Sequence, residues 1–283
     1  AGAVDEPTRQ RAIGWVLAMQ CTNGGWASFD KDNTSRLPAM LPFCDFGEVI
    51  DPPSADVTGH VIEMLCAFGF DRSHPALRRG LRYLYDQQEK EGSWFGRWGV
   101  NHLYGLGAVF PALAAAGEDL EGLAARRALR WLEDRQNSDG GWGESCASYV
   151  DAAARGRGES TASQTAWALL ALVAAGRADG PSAHRAARWL LERQRSDGAW
   201  DEESFTGCGF PGYGIGEERG ARITEGTELS AGFMIRYHLY RNCFPLLALG
   251  RYRAALRARG RTFPSQRGPA CDRPSSTSAI SMR

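Results

Sequence analysis

The sequence predicts an all-α fold in which helical hairpins stack side by side into a double ring, and three observations carry that expectation. One Gln-to-Trp turn recurs four times, as "QCTNGGW" (20–26), "QEKEGSW" (88–94), "QNSDGGW" (136–142) and "QRSDGAW" (194–200). The segments that lead into these turns are amphipathic with a helical period. The segments between them are more apolar, as an inner layer of helices requires.

Each amphipathic segment carries one pattern. An Arg (11, 79, 127, 185) is followed four residues later by an aromatic residue (Trp15, Tyr83, Trp131, Trp189), and five residues after that by the Gln. In "AARRALRWLEDRQ", Ala128, Leu129 and Leu132 form the apolar stripe. Arg and aromatic share a helical face at this spacing, so the guanidinium is expected over the ring. The Gly after each Gln permits a left-handed turn, and the Trp beyond it packs back on its helix. The Gln amide satisfies backbone groups left open at helix ends. Gln20, Gln88, Gln136 and Gln194, with Trp26, Trp94, Trp142 and Trp200, therefore read as structural staples.

The apolar helices are expected over 57–70, 100–117 and 160–176, with a final helix over 233–256. Trp-to-Trp intervals of 68, 48 and 58 residues imply connections of variable length. About eight helices result, whereas a closed ring of six hairpins needs twelve. The chain is thus expected to form an open arc with an uncovered apolar edge, and to associate through that edge when isolated.

Composition excludes several classes of function. Thirty-three basic and 33 acidic side chains balance, so no nucleic-acid partner is indicated. No apolar run approaches the ~18–20 residues needed to span a bilayer. Seven cysteines and five histidines are dispersed without metal-ligand spacing, which reads as reduced thiols and no metal site. The opening "AGAVDEPTRQR" has neither an initiator Met nor a signal-peptide plan, and reads as a fragment cut at its N-terminal side. Residues 257–283, rich in Ser, Pro and Arg, read as a disordered tail behind a single structured unit over 1–256.

The repeat leaves some residues unexplained. Seven of the nine Trp belong to it; Trp167 sits on an apolar helix as core, and Trp98 lies in the Gly-punctuated loop "SWFGRWGVNHLYG". In "PFCDFGEVIDPPSADVTGHVIE" (42–63), Asp56, His60 and Glu63 share one face of a helix that begins at Ser54 or Asp56. A capping Asp with a half-buried His is one reading, and a carboxylate–imidazolium pair is the other. Phe233, Tyr237 and Tyr240 fall on one face of the final helix, as core or as an aromatic wall.

Taken together, the Gln–Trp turns with "GGWASFDKDN", "PFCDFGEVIDPPSADVTGHVIE", "GSWFGRWGVNHLYG", "DGGWGESC" and "FPLLALGRY" resemble the squalene–hopene cyclase family of triterpene cyclases, from about Thr8 to about Leu256. The resemblance implies that the chain is most of an α6/α6 (α/α-toroid) barrel, and that squalene is cyclised to hopene and hopanol through a proton-initiated carbocation cascade. It implies no metal and no organic cofactor. It implies squalene and a membrane surface as partners, the latter for the full-length protein on the cytoplasmic side of the bacterial inner membrane; a homodimer is compatible with it. The family's proton donor lies in a D-x-D-D motif, which this sequence does not contain, so the fragment alone is expected to be inactive.

Residue by residue, His60 resembles the histidine that supports the acid, and Asp56 the carboxylate that keeps it charged. Cys44 and Tyr104 match members of the network behind the acid. Phe29, Trp98, Phe210 and Phe233 match the aromatic lining; Phe29 stands where some members carry Tyr. Tyr237, Tyr240, Ile235 and Phe46 match further wall positions. The competing readings are an oxidosqualene-type cyclase and a non-catalytic helical-toroid binding module.

Overall fold

The computed structural model describes residues 4–34, 51–149, 151–209 and 233–261. Among them are eight α-helices: α1 (Glu6–Ala18), α2 (Ala55–Ala67), α3 (Pro75–Asp86), α4 (His102–Ala115), α5 (Leu123–Glu133), α6 (Ala162–Ala174), α7 (Pro181–Arg193) and α8 (Tyr240–Ala258). Local chemistry sets their starts. Asp5 Oδ1 accepts from the Thr8 amide at 2.8 Å, and Thr161 Oγ1 from the Gln164 amide at 3.2 Å. Proline occupies the first turn of α1, α3 and α7, where its missing N–H costs nothing.

The even-numbered helices form an inner layer, packing α2 on α4, α4 on α6 and α6 on α8. Helices α4 and α6 are buried almost all round, from His102 to Leu113 and from Ala162 to Leu172. The outer helices α3, α5 and α7 bury one stripe each, as in Ala125, Ala128, Leu129 and Leu132 of α5. Two further carboxylates join the layers. Glu144 and Glu202 each follow a staple Trp by two residues. Glu144 accepts from the Asn101 and Leu103 amides at 3.2 and 2.9 Å, and Glu202 from the Ser163 amide at 2.7 Å. Each satisfies the open N–H groups at the start of an inner helix, α4 or α6, where the helix dipole favours negative charge.

The four Gln–Trp turns share a hydrogen-bond set. Each Gln Nε2 donates to the carbonyl of the Gly four residues on, at 2.8–2.9 Å. Gln20, Gln88 and Gln136 also donate to the first turn of the next outer helix, at Ala76, Ala124 and Ser182. Each Trp indole donates to the carbonyl ten residues upstream: Val16, Leu84, Leu132 and Leu190. The left-handed turn needs glycine. Gly24 has φ +95°, and a Cβ there would sit 2.5 Å from the Arg79 carbonyl oxygen.

The repeat arginines behave differently from the sequence expectation. Arg79, Arg127 and Arg185 do not lie over their own helix's ring; each donates to the Gln Oε1 of the preceding staple. The cations over the aromatic residues are Arg135, 4.0 Å from the Trp131 ring, and Arg193, 4.3 Å from Trp189. A charge-assisted bond between hairpins outweighs stacking within one, because the Gln oxygen is fixed by its own amide. Gln136→Ala removes two donated bonds and one accepted from Arg185. It is expected to cost about 1–3 kcal/mol, read as a shift in the urea unfolding midpoint.

The C-terminal region departs from expectation. Phe233–Ile235 is not helical but forms strand β2, antiparallel to β1 (Gly207–Gly209), with Cys208 opposite Met234. A bridge between Gly99 and Gly207, with Val100 N–H to the Thr206 carbonyl at 2.8 Å, adds the 98–100 loop to this small sheet. Backbone pairing with β1 overrides the helical spacing of Phe233, Tyr237 and Tyr240, which do not share a helix face. Helix α8 extends through Ala258, two residues beyond the expected boundary of the structured unit; residues 262–283 lie outside the described residues.

At the two ends of the series, Trp15 (60% exposed), Leu239 (69%) and Leu246 (57%) present apolar surface. Arg251 of α8 reaches Glu63 of α2 at 2.7 Å, so the expected gap between the first and last inner helices is spanned at that point. No helix of the described residues is long and apolar enough to cross a membrane.

His102 makes the fold acid-sensitive. It is fully buried at the start of α4, with Nδ1 2.8 Å from Ser93 Oγ. Burial chiefly, reinforced by Arg155 and Arg135 against Glu91, pushes its pKa down to about 3. Since the unfolded imidazole titrates near 6.5, its neutral burial contributes fully above that pH. The contribution is lost as pH falls from 6.5 towards 3, by about 3 kcal/mol at pH 4. His102→Gln should flatten the stability–pH curve in that window, as followed by urea unfolding at each pH.

Candidate functional site

The first turn of α2 follows Pro52 and Pro53, which hold the chain extended until Ser54 starts the helix. Asp56 is fully buried there. Its Oδ2 accepts from the backbone amides of Arg97 and Trp98, at 3.1 and 3.0 Å, while Oδ1 has no hydrogen-bond partner among the described residues. Asp56 thus anchors the loop that carries Trp98 and keeps one oxygen unused.

His60 lies one turn along the same face. Its Nε2 is 3.2 Å from the Tyr104 hydroxyl of α4. No direct Asp56–His60 hydrogen bond or ion pair is present among the described residues, so any influence of Asp56 on the imidazole is through space. Protein packed round His60 lowers its pKa from the ordinary 6.5, with Asp56 and Glu63 opposing and Arg251 reinforcing. Its ring nevertheless stays accessible at the surface, which moderates that desolvation. Tyr104 is pushed well above the ordinary phenol value by burial first, then by Asp56 and Tyr240. It therefore remains a neutral hydroxyl at physiological pH, able to donate or accept.

Beside this polar end lies an aromatic cluster. Trp98 meets Phe29 edge to face at 5.7 Å between centroids. Tyr240 meets Tyr237 at 4.7 Å and Phe244 at 5.1 Å, and its hydroxyl reaches the Trp98 carbonyl at 3.4 Å. Trp167, 1% exposed, backs the cluster at 4.8 Å from Tyr104 and 5.3 Å from Phe244. Burial, with Tyr237, Asp56 and Cys208, raises the Tyr240 pKa to about 12. Ile235 is half-buried on β2, and Phe233 begins that strand.

Asp56 and His60 stand on α2, Tyr104 on α4, Trp98 in the 98–100 loop, Ile235 on β2 and Tyr240 on α8, while Phe29 lies in the loop after the first staple and Tyr237 in the connection from β2 to α8. Cys44, Phe46 and Phe210 lie outside the described residues. Sequence reasoning did not single out Phe244, Ser28, Asp51 or Arg97. Phe244 was legible as the i+4 neighbour of Tyr240 on α8; Arg97 was legible as a lone charge between Gly96 and Trp98 in an apolar loop.

Comparison with known proteins places this geometry in context. The family model for the squalene-hopene cyclase C-terminal domain matches residues 3–215. Squalene–hopene cyclase of Alicyclobacillus acidocaldarius is 56% identical over 245 residues, covering 87% of this chain and 36% of that protein. Squalene–hopene cyclase of Zymomonas mobilis is 40% identical over 249 residues, covering 88% and 35%. Dammaradiene synthase of Dryopteris crassirhizoma is 41% identical over 271 residues, covering 88% and 37%. The chain therefore spans about a third of the length of these relatives. Among solved structures, the type II terpene cyclase MstE from Scytonema superposes with a TM-score of 0.60 at 19% identity, covering 90% of this chain and 70% of that one, a likeness of fold.

Proposed function

Because this chain belongs to the squalene–hopene cyclase C-terminal domain family, we propose that it supplies the acid-supporting end and part of the aromatic wall of a catalyst that cyclises squalene to hopene and hopanol. The single observation that carries this reading is the His60–Tyr104 contact, set beside the buried Asp56 carboxylate, with the Tyr104 ring against those of Trp167 and Phe244.

Protonating an alkene demands a strong carboxylic acid. In this reading the donor comes from a D-x-D-D segment outside residues 1–283, and His60, charged by the incoming carboxylate, stabilises the conjugate base. Tyr104 holds the imidazole in orientation. Each later step moves positive charge along a hydrocarbon with no hydrogen-bonding groups. The faces of Phe29, Trp98, Tyr237 and Tyr240 stabilise that charge by ~2 kcal/mol or more each once water is excluded, and do not trap it as water or a carboxylate does. Phe233, Phe210, Phe46 and Ile235 complete the wall, and Cys44 the polar network. No metal or organic cofactor enters the scheme.

The substrate is lipid-dissolved, so the intact protein meets a membrane surface as a peripheral, monotopic protein on its cytoplasmic side, alone or as a homodimer. The test is incubation of the intact protein with squalene in detergent and with chelator present, followed by gas chromatography–mass spectrometry. Hopene and hopanol are the expected products. A different polycyclic skeleton would favour a triterpene cyclase of other product outcome, in line with the similarity to dammaradiene synthase. Conversion of oxidosqualene alone would favour a sterol-type cyclase, and no conversion with tight lipid binding a binding module. Phe233→Ala is expected to release incompletely cyclised products, and an unaltered product profile removes it from the wall.

A further inference from the structure

We infer that Asp51 and Ser28 are positioning residues that fix the Phe29–Trp98 aromatic pair and so govern which product the site releases, an inference that rests on the function just proposed. Phe29 is 61% exposed, so core packing does not hold it. A polar clamp does. Asp51, 4% exposed, accepts at Oδ2 from the amides of Phe29 and Asp30, at 2.5 and 2.8 Å. Its own amide donates to the Asn33 carbonyl at 2.9 Å, closing the 29–33 loop from both sides. Pro52 follows directly, which confines Asp51 to extended backbone.

The other half of the clamp holds the second ring. The Trp98 indole donates to Ser28 Oγ at 2.5 Å, and the Trp98 backbone is tethered through its amide to Asp56. Arg97, fully buried, bridges the halves: its guanidinium is 3.8 Å from Asp51 Oδ1 and 5.4 Å from the centre of the Trp98 ring. Ser28 and Asp51 therefore set the two ring positions through hydrogen bonds to the Trp98 indole and to the Phe29 amide. Cation–π attraction depends on the distance and angle of the ring face. Loosening either anchor withdraws stabilisation from one stage of the cascade more than from others, which changes product ratios ahead of binding.

The test uses the intact cyclase labelled with 5-fluorotryptophan, with the Trp98 line assigned through Trp98→Phe. Ser28→Ala and Asp51→Asn should each displace or broaden the Trp98 fluorine resonance, and Ser28→Thr should restore it. A Trp98 line unmoved in both variants overturns the positioning. With squalene, both variants should raise the share of incompletely cyclised products severalfold at nearly unchanged KM. An unaltered profile in variants of an active wild type overturns the role in product choice. A wild type that converts no squalene overturns the functional reading and that role with it, leaving the fluorine line to decide the positioning. Ser28→Ala removes no backbone hydrogen bond, so it decides the matter if Asp51→Asn fails to fold.

Discussion

His60→Ala in the intact cyclase is expected to lower kcat by about 10²–10⁴-fold while leaving KM close to the wild-type value. The asymmetry follows from where the side chain sits. Its Nε2 meets the Tyr104 hydroxyl at 3.2 Å, and it shares its face of α2 with Asp56 and Glu63 by helical spacing. In the proposed reading, removing it takes away the group that would stabilise an acid's conjugate base while leaving the rings of Phe29, Trp98, Tyr237 and Tyr240 in place. The surroundings within this chain hold the imidazole below its ordinary pKa, burial outweighing Asp56 and Glu63. That tilts it towards the neutral form, and in the proposed reading a further carboxylate brought against it favours the charged form. The wild-type kcat–pH profile should accordingly carry an imidazole limb, with activity falling as pH rises through the pKa of the assembled pair, and His60→Ala should lack it. Unchanged kcat, or a loss expressed wholly in KM, would count against the acid-support role. Asp56→Asn gives a mixed result, because its Oδ2 also holds the Arg97 and Trp98 amides.

What the sequence made legible was what is built locally. A Gln bonding to a carbonyl four residues on, and an indole bonding to one ten residues back, leave a fixed spacing that can be read without coordinates. The alternation of amphipathic and apolar helices likewise follows from which layer each occupies. The misreadings concern bonds between repeats. Arg79, Arg127 and Arg185 have the spacing for stacking on their own helix, yet each spends its charge on the Gln of the hairpin before. The period of Phe233, Tyr237 and Tyr240 is that of a helix, but pairing of 233–235 with 207–209 decides the backbone. The clamp of Ser28, Asp51 and Arg97 joins segments as far as 70 residues apart, and no local pattern announces it.

The largest expected loss of stability is at a staple. Trp142→Ala should cost about 3–5 kcal/mol, a large share of the 5–15 kcal/mol typical of a domain. The Trp142 ring is fully buried and its indole donates to the Leu132 carbonyl at 2.9 Å. Its amide donates to Thr165 Oγ1 at 2.9 Å, and its carbonyl accepts from the Thr161 amide at 2.9 Å. One residue thus ties outer helix α5 to inner helix α6, and a cavity there has rigid walls on both sides. The damage should also reach the polar end of the site, since Glu144, two residues on, caps the start of α4, where Tyr104 faces His60. Trp142→Phe keeps most of the ring but drops the indole donor, and should fall between Ala and wild type. Trp15→Ala is the control, because that ring is 60% exposed, and a substitution there should stay within about 0.5 kcal/mol. Urea midpoints at constant m-value give the order. Equal costs for Trp142→Ala and Trp15→Ala would mean that the repeated turn does not hold the layers together, and its fourfold recurrence would need another cause.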